Sequence, residues 1–218
     1  GYGRIVRDEE GNLEKIVEHK DANEEEKNIK EINSGIYCFK GRELKYALNK
    51  IDDDNAQGEL YITDVISILK KEGYKVGAYL IEDASEIYGV NSRVQLAFCE
   101  KVMRHRINRY HMENGVTIID PDNTYIEAEV KIGRDTIVYP GAILKGNTTI
   151  GSDCIIGENT RIENSSIGNG VEIFSSTIEE SVVSDCCHIG PYAHLRPNSH
   201  LGKNIRIGNF VEVKNSNI

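Results

Sequence analysis

The stretch IGRDTIVYPGAILKGNTTIGSDCIIGEN, Ile132–Asn159, carries an aliphatic residue at every sixth place: Ile132, Val138, Leu144, Ile150 and Ile156. A helix repeats every 3.6 residues and a strand every two, so neither element alone produces a six. The step starts at Ile126 and runs through Ile162. It slips by one residue to Ile167, recovers at Ile173, and slips again at Ile178 and Val183. It then resumes at Ile189, Leu195, Leu201, Ile207 and Val213. An internal repeat of this length decides the architecture. A period of six suits a chain that turns the corner of a triangular prism after each short strand. Three hexads then close one coil, the aliphatic side chains point inward, and successive coils stack as parallel sheets in a solenoid. Gly, Asn and Asp in GRD, GSD, GEN and GKN supply the corner conformations that other residues resist. A β-sandwich would show alternation with turns every 8–12 residues instead.

Residues 1–115 have a different grammar. GYGRIV and LEKIVEH are short β-like runs around the turn DEEGN. DANEEEKNIKEI is a charged connector, and SGIYCF and YKVGAYLI are strand candidates. GRELKYALNKI has helical spacing at Leu44, Ala47, Leu48 and Ile51. YITDVISILKKEG has it at Ile62, Val65, Ile66 and Leu69, with Gly73 as its stop. Helices alternating with strands predict a layered α/β domain. From Ser92 to Glu113 there is neither Gly nor Pro, which predicts one long helix capped by Asn91 or Ser92. The expected division is therefore 1–91, a linker helix over 92–115, and a β-helix over 116–218.

The bulk composition narrows the function classes. Net charge is −9, from 35 acidic against 26 basic residues, without the basic footprint of a nucleic-acid binder. A phosphorylated substrate remains compatible, because backbone N–H groups, single cations or a metal suffice to hold phosphate. No run approaches a membrane span of about 18 apolar residues, and GYGRIVRDEEGN has no secretory apolar region. The cysteines Cys38, Cys99, Cys154, Cys186 and Cys187 form no C-x-x-C pair and read as free thiols of a reducing compartment. The six histidines have no zinc-ligand spacing.

The hexads resemble those of the hexapeptide-repeat acyltransferases, whose β-helices are left-handed and usually trimeric. GYGRIVRD, IVEHKDA, EINSGIY, NAQGELYITD and GVNSRVQL, in that order, resemble the second part of a sugar-1-phosphate nucleotidyltransferase domain. Those motifs, then a helix, then GPYAHLRPNSHL and IGNFVEVKNS, resemble the GlmU family across the whole chain. The resemblance implies a Rossmann-like α/β domain, present in part, joined by a long helix to a left-handed parallel β-helix. It implies a bifunctional enzyme of UDP-N-acetylglucosamine biosynthesis, which supplies peptidoglycan and cell-wall formation. One activity transfers UMP from UTP to N-acetylglucosamine 1-phosphate; the other acetylates glucosamine 1-phosphate with acetyl-CoA. It further implies Mg²⁺, a cytoplasmic location and a homotrimer built through the β-helix.

The resemblance assigns roles residue by residue. Gly3 would let its backbone approach the sugar, where a side chain would keep the ligand away. Glu18 would accept from sugar hydroxyls, and Asn33 offers both a donor and an acceptor. Tyr61 and Thr63 would line the sugar pocket, and Asn91 would give its carbonyl oxygen to Mg²⁺. Arg196 and Lys214 would grip the sugar phosphate of the acetyl-transfer site through charge-assisted bonds. As bare residues, Gly3 reads as a turn glycine, Glu18 as a strand-end acid, and Thr63 and Asn91 as helix caps. Arg196 and Lys214 then read as surface cations. His194 and His200 flank Arg196, but the family motif does not put the acetyl-transfer base there. The family's nucleotide loop and the aspartate that shares Mg²⁺ have no counterpart in these residues, nor does the acetyl-transfer base. The chain is therefore expected to be a central segment without catalytic residues of its own, inactive alone. Two other readings stand beside this one: another sugar-1-phosphate nucleotidyltransferase whose β-helix serves assembly, and a scaffold that only mediates oligomerisation.

Overall fold

The computed structural model describes residues 2–218, and these fall into two compact units that divide between Ile87 and Tyr88. In the first unit, β1 (Arg4–Arg7) and β2 (Leu13–Val17) pair antiparallel, with a register irregularity between Val6 and Arg7. Their turn closes on Asp8, whose carboxylate accepts from the N–H groups of Glu10 and Asn12. The charged connector holds α1 (Glu24–Lys27), closed by a reciprocal box in which Asn23 and Glu26 each bond the other's backbone N–H. Helices α2 (Gly41–Leu48) and α3 (Asp64–Lys71) follow. Gly73, at φ +80°, ends α3 in the left-handed conformation that glycine tolerates best.

Ile5, Leu13, Ile16 and Ile66 form one apolar cluster, and Ala47, Val65 and Leu69 a second; Phe39 and Val76 pack against both. Two expected helix-face residues lie elsewhere. Leu48 is exposed, and so is Ile62, which precedes the first residue of α3. The expected strands SGIYCF and YKVGAYLI are not strands here. Tyr37 and Phe39 turn to the core while Ile36 and Cys38 face outward, and Val76 and Ala78 do the same in their segment. The alternation is present, but a strand also needs a neighbouring backbone to exchange hydrogen bonds with. Among the described residues neither segment has one. Among the described residues, the first unit is a mixed α/β layer with a single two-stranded ladder.

The second unit opens with α4 (Arg93–Glu113), whose N-cap is Ser92: its hydroxyl accepts from the Gln95 N–H at 3.2 Å. Asn91 is therefore not the cap. Near the other end of α4, Asn108 is fully buried and donates to the carbonyls of Pro121 and Thr124, which ties the helix to the first coil. Three parallel sheets of six, five and six strands follow, each strand two or three residues long. Val138, Leu144, Ile156, Ile162, Ile173, Ile178, Ile189 and Leu195 have no exposed surface, so the hexad aliphatics fill the prism. Each fully buried aliphatic side chain contributes about 1.5–3 kcal/mol of transfer free energy.

The one-residue slips have a structural cause. Ile162 pairs with Leu144 and Ile178, and Ile178 with Leu195, so the coil from Ile162 to Ile178 is shorter than its neighbours. At each short side the corner residue has a low positive φ: Asn164 at 47°, Ser175 at 42° and Glu180 at 42°. The next residue is always a serine. Ser165, Ser176 and Ser181 bond the carbonyl two residues back, at 2.7–2.8 Å. That hydroxyl satisfies a carbonyl inside the tightened corner. Asn215 at 46° and Ser216, whose hydroxyl bonds the Lys214 carbonyl, repeat the device.

Candidate functional site

In the first unit, four of the expected sugar-pocket residues come together from four separate segments. A Cβ built on Gly3 would lie 3.3 Å from the Val17 carbonyl oxygen and 3.4 Å from both Asn33 Cβ and Glu18 Oε1. Gly3 therefore sits between Glu18, which follows β2, and Asn33, whose N–H donates to the Gly3 carbonyl at 2.9 Å. Thr63 occupies the N-cap position of α3 without capping it. Its hydroxyl, nearly fully buried, instead donates to Glu18 Oε1 at 3.3 Å. The Glu18 carboxylate has further lone pairs that this bond leaves unused.

Tyr61 lies two residues before Thr63, and its hydroxyl accepts from the Gln57 side chain at 2.7 Å. Burial pushes its phenol pKa up, with Asp21 adding to the shift. The surroundings are acidic. Burial first, and then the neighbouring carboxylates of Asp52, Asp21 and Glu18, raise the pKa of Asp64. Such a setting favours neutral hydroxyl and amide ligands over a bare anion. Tyr37 is a partner the sequence reading missed: its hydroxyl accepts from Asn33 Nδ2 at 2.7 Å. Its apolar position in SGIYCF marks it only as a core residue.

In the second unit, the register His194↔Glu212 and Leu195↔Val213 puts Arg196 directly over Lys214 on successive coils. The Arg196 N–H donates to the Val213 carbonyl at 2.9 Å, and coils of a parallel sheet lie about 4.8 Å apart. Two cations are thus stacked on one face. Arg196 meets Glu212 at 3.4 Å, while Lys214 is exposed and has no ion-pair partner among the described residues. A phosphate monoester, with its several acceptor oxygens, matches two adjacent donors of this kind. His194 is held by Glu179 at 3.1 Å and His200 is exposed.

Asn91 is exposed in the second unit, and its backbone N–H donates to Gln95 Oε1 at 2.7 Å. Its carboxamide fits a hard cation as one oxygen ligand. No group of three or more His, Cys, Asp or Glu among the described residues is arranged to hold a metal. No helix among them is long and apolar enough to cross a membrane.

Residues 118–218 match the family model described as the GMPPB C-terminal domain. The bifunctional protein GlmU of Alkaliphilus oremlandii is 62% identical over 99% of this chain and 47% of its own length. That of Clostridioides difficile is 59% identical over 100% of this chain and 48% of its own. Among solved structures, the acetyltransferase domain of PglB from Neisseria gonorrhoeae aligns at 16% identity and a TM-score of 0.44, over 51% of this chain and 58% of that one. The chain spans about half the length of the curated relatives it matches, and over its whole length it belongs, by sequence, to the GlmU family.

Proposed function

We propose that this chain supplies sugar-binding parts of two transferase sites in UDP-N-acetylglucosamine biosynthesis. In the first unit, Gly3, Glu18, Asn33, Tyr61 and Thr63 hold the sugar of N-acetylglucosamine 1-phosphate while UMP is transferred to it from UTP. Gly3 gives the ring room, Glu18 accepts from its hydroxyls, and Asn33 meets a donor and an acceptor at once. Asn91 contributes one oxygen to Mg²⁺, which neutralises phosphate charge when bound. In the second unit, Arg196 and Lys214 hold the phosphate of glucosamine 1-phosphate while its amine takes an acetyl group from acetyl-CoA. The β-helix assembles the enzyme as a homotrimer in the cytoplasm, where its product feeds cell-wall synthesis.

The observation that carries this reading is the convergence of Gly3, Glu18, Asn33 and Thr63. Identity of 62% and 59% over 99% and 100% of this chain to proteins named as bifunctional GlmU supports it over a nucleotidyltransferase for another sugar. The test uses the complete gene product that contains this chain. Pyrophosphate release from UTP and N-acetylglucosamine 1-phosphate reports one site, and thiol release from acetyl-CoA and glucosamine 1-phosphate the other. Arg196→Ala should raise the KM for glucosamine 1-phosphate on the order of 10- to 100-fold, the worth of a charge-assisted bond, and leave pyrophosphate release intact. Glu18→Ala should impair only pyrophosphate release. Loss of neither signal in these variants would refute the residue assignments.

A further inference from the structure

Asn33 is held at its backbone and at both ends of its carboxamide. Its backbone N–H bonds the Gly3 carbonyl at 2.9 Å. Its Oδ1 accepts from the Gly35 N–H at 3.1 Å, and its Nδ2 donates to the Tyr37 hydroxyl at 2.7 Å. The Gly35 N–H can meet only an oxygen, so the two ends of the carboxamide are not interchangeable here. An amide has two N–H donors and two acceptor lone pairs. The protein takes one of each, and one of each is left for a ligand.

The hydroxyl that makes this possible sits on a rigid ring. Tyr37 stacks on Phe39 with centroids 5.6 Å apart and planes 24° apart. Both rings pack against the cluster of Ile5, Leu13, Ile16 and Ile66. A side chain with two torsions, clamped this way, holds its oxygen in one place. The phenol also stays neutral, since burial raises its pKa and the nearby Glu18 charge pushes in the same direction. A neutral hydroxyl that accepts from Asn33 still has its own proton to donate.

We infer that Tyr37 is a positioning residue for the sugar-phosphate site of the first unit: its hydroxyl locks the Asn33 carboxamide so that one N–H and one oxygen lone pair face the ligand. This rests on the reading of Asn33 as a sugar contact given above. Without the hydroxyl, the Nδ2 group loses its anchor and the amide turns about χ2. Binding then carries the cost of fixing it again.

The test is a double-mutant cycle in the complete gene product, read by steady-state pyrophosphate release. Tyr37→Phe keeps the ring and its stack and removes only the hydroxyl. It should raise the KM for N-acetylglucosamine 1-phosphate about three- to tenfold, the worth of one hydrogen bond. The KM for UTP and the melting temperature should stay within error. Asn33→Ala should raise the same KM, and adding Tyr37→Phe to it should change nothing more, because the group being positioned is gone. Additive effects, or a KM unchanged in Tyr37→Phe, would overturn the inference while leaving Asn33 as a contact. A KM unchanged in Asn33→Ala would overturn the site reading itself. A fall in melting temperature with both substrates equally impaired would assign Tyr37 a purely structural role.

Discussion

The stacked coils make a quantitative prediction about their glycines. Gly151 has an ordinary backbone conformation, so nothing about its φ requires glycine. Its neighbours do. A Cβ there would lie 2.6 Å from the Gly168 carbonyl oxygen and 2.7 Å from the Gly168 carbonyl carbon, both backbone atoms of the next coil. It would also lie 2.5 Å from Asn169 Oδ1, which accepts from the Ser152 N–H at 2.8 Å. Backbone cannot swing aside as a long side chain can, so the coils must part by several tenths of an ångström. Overpacking of this kind costs about 1–3 kcal/mol, offset by the roughly 0.4–1 kcal/mol that Gly→Ala removes from unfolded-state entropy. Gly208 is the control: its φ is ordinary too, and nothing lies within 4 Å of a Cβ built there. A third case separates conformation from contact. Gly170 has φ +63° and meets only Cys186 Sγ, at 3.6 Å. Thermal unfolding of chain 1–218 reads out all three, at about 2–4 °C per kcal/mol for this size. Gly151→Ala should melt several degrees below the parent, and Gly208→Ala at or slightly above it. Gly170→Ala should fall by the about 1–2 kcal/mol of a left-handed alanine and be largely rescued by Gly170→Asn, since asparagine tolerates that conformation. Gly151→Asn should show no rescue. If Gly151→Ala melts with Gly208→Ala, the close approach of the coils is wrong.

Two further perturbations test the second unit. His111, buried at the end of α4, has its pKa lowered by desolvation. The unfolded chain therefore takes up the proton first as pH falls from the ordinary value of 6.5, and the stability present above that pH is lost as pH drops toward the folded pKa. Urea denaturation of chain 1–218 between pH 7.5 and 5 should show this slope, and His111→Phe should flatten it; an unchanged slope would remove His111 as its source. Cys186 occupies a left-handed corner at φ 59°, where the equivalent corners of other coils carry Asp135, Asp153, Gly170 and Asn204. Cys186→Asn should raise the melting temperature by about 1–3 °C by relieving part of that strain, and a fall would show the thiol to have a packing role.

How much of this was legible in the sequence differs between the two units for a physical reason. The β-helix is a local code: one inward aliphatic per side and one corner residue per turn. Every contact is with the coil before or after. Ile126 to Val213 could therefore be counted off directly. Even the slips are visible, although the serine that follows each tight corner gives no signal of its own in the letters. The first unit depends on non-local pairing. SGIYCF and YKVGAYLI carry the alternation of strands, yet whether a backbone neighbour lies beside them cannot be seen in their own residues. Helical spacing also overstates the buried faces: Leu48 and Ile62 fit the spacing but sit where each helix turns away from its cluster or has not yet begun.

The same contrast governs the sites. Arg196 and Lys214 lie 18 positions apart in sequence, one full coil of three hexads, so the period that predicts the fold also predicts that they stack. Gly3, Glu18, Asn33 and Thr63 have no such relation: a hairpin, a connector and a helix start must all fold before they meet. Their meeting was implied only by resemblance, and Tyr37 escaped notice because a core aromatic and a hydrogen-bond anchor look alike in a string of letters. Thr63 illustrates the point in reverse. The helix-cap reading put it at the start of α3, where it is, but its hydroxyl serves Glu18 and not the helix. Its backbone already has helical angles, φ −64° and ψ −25°, so its hydroxyl points away from the helix end and meets the half-buried Glu18 carboxylate instead. Thr63→Val, equal in shape and lacking the donor, should therefore leave α3 intact and weaken sugar-phosphate binding in the complete gene product.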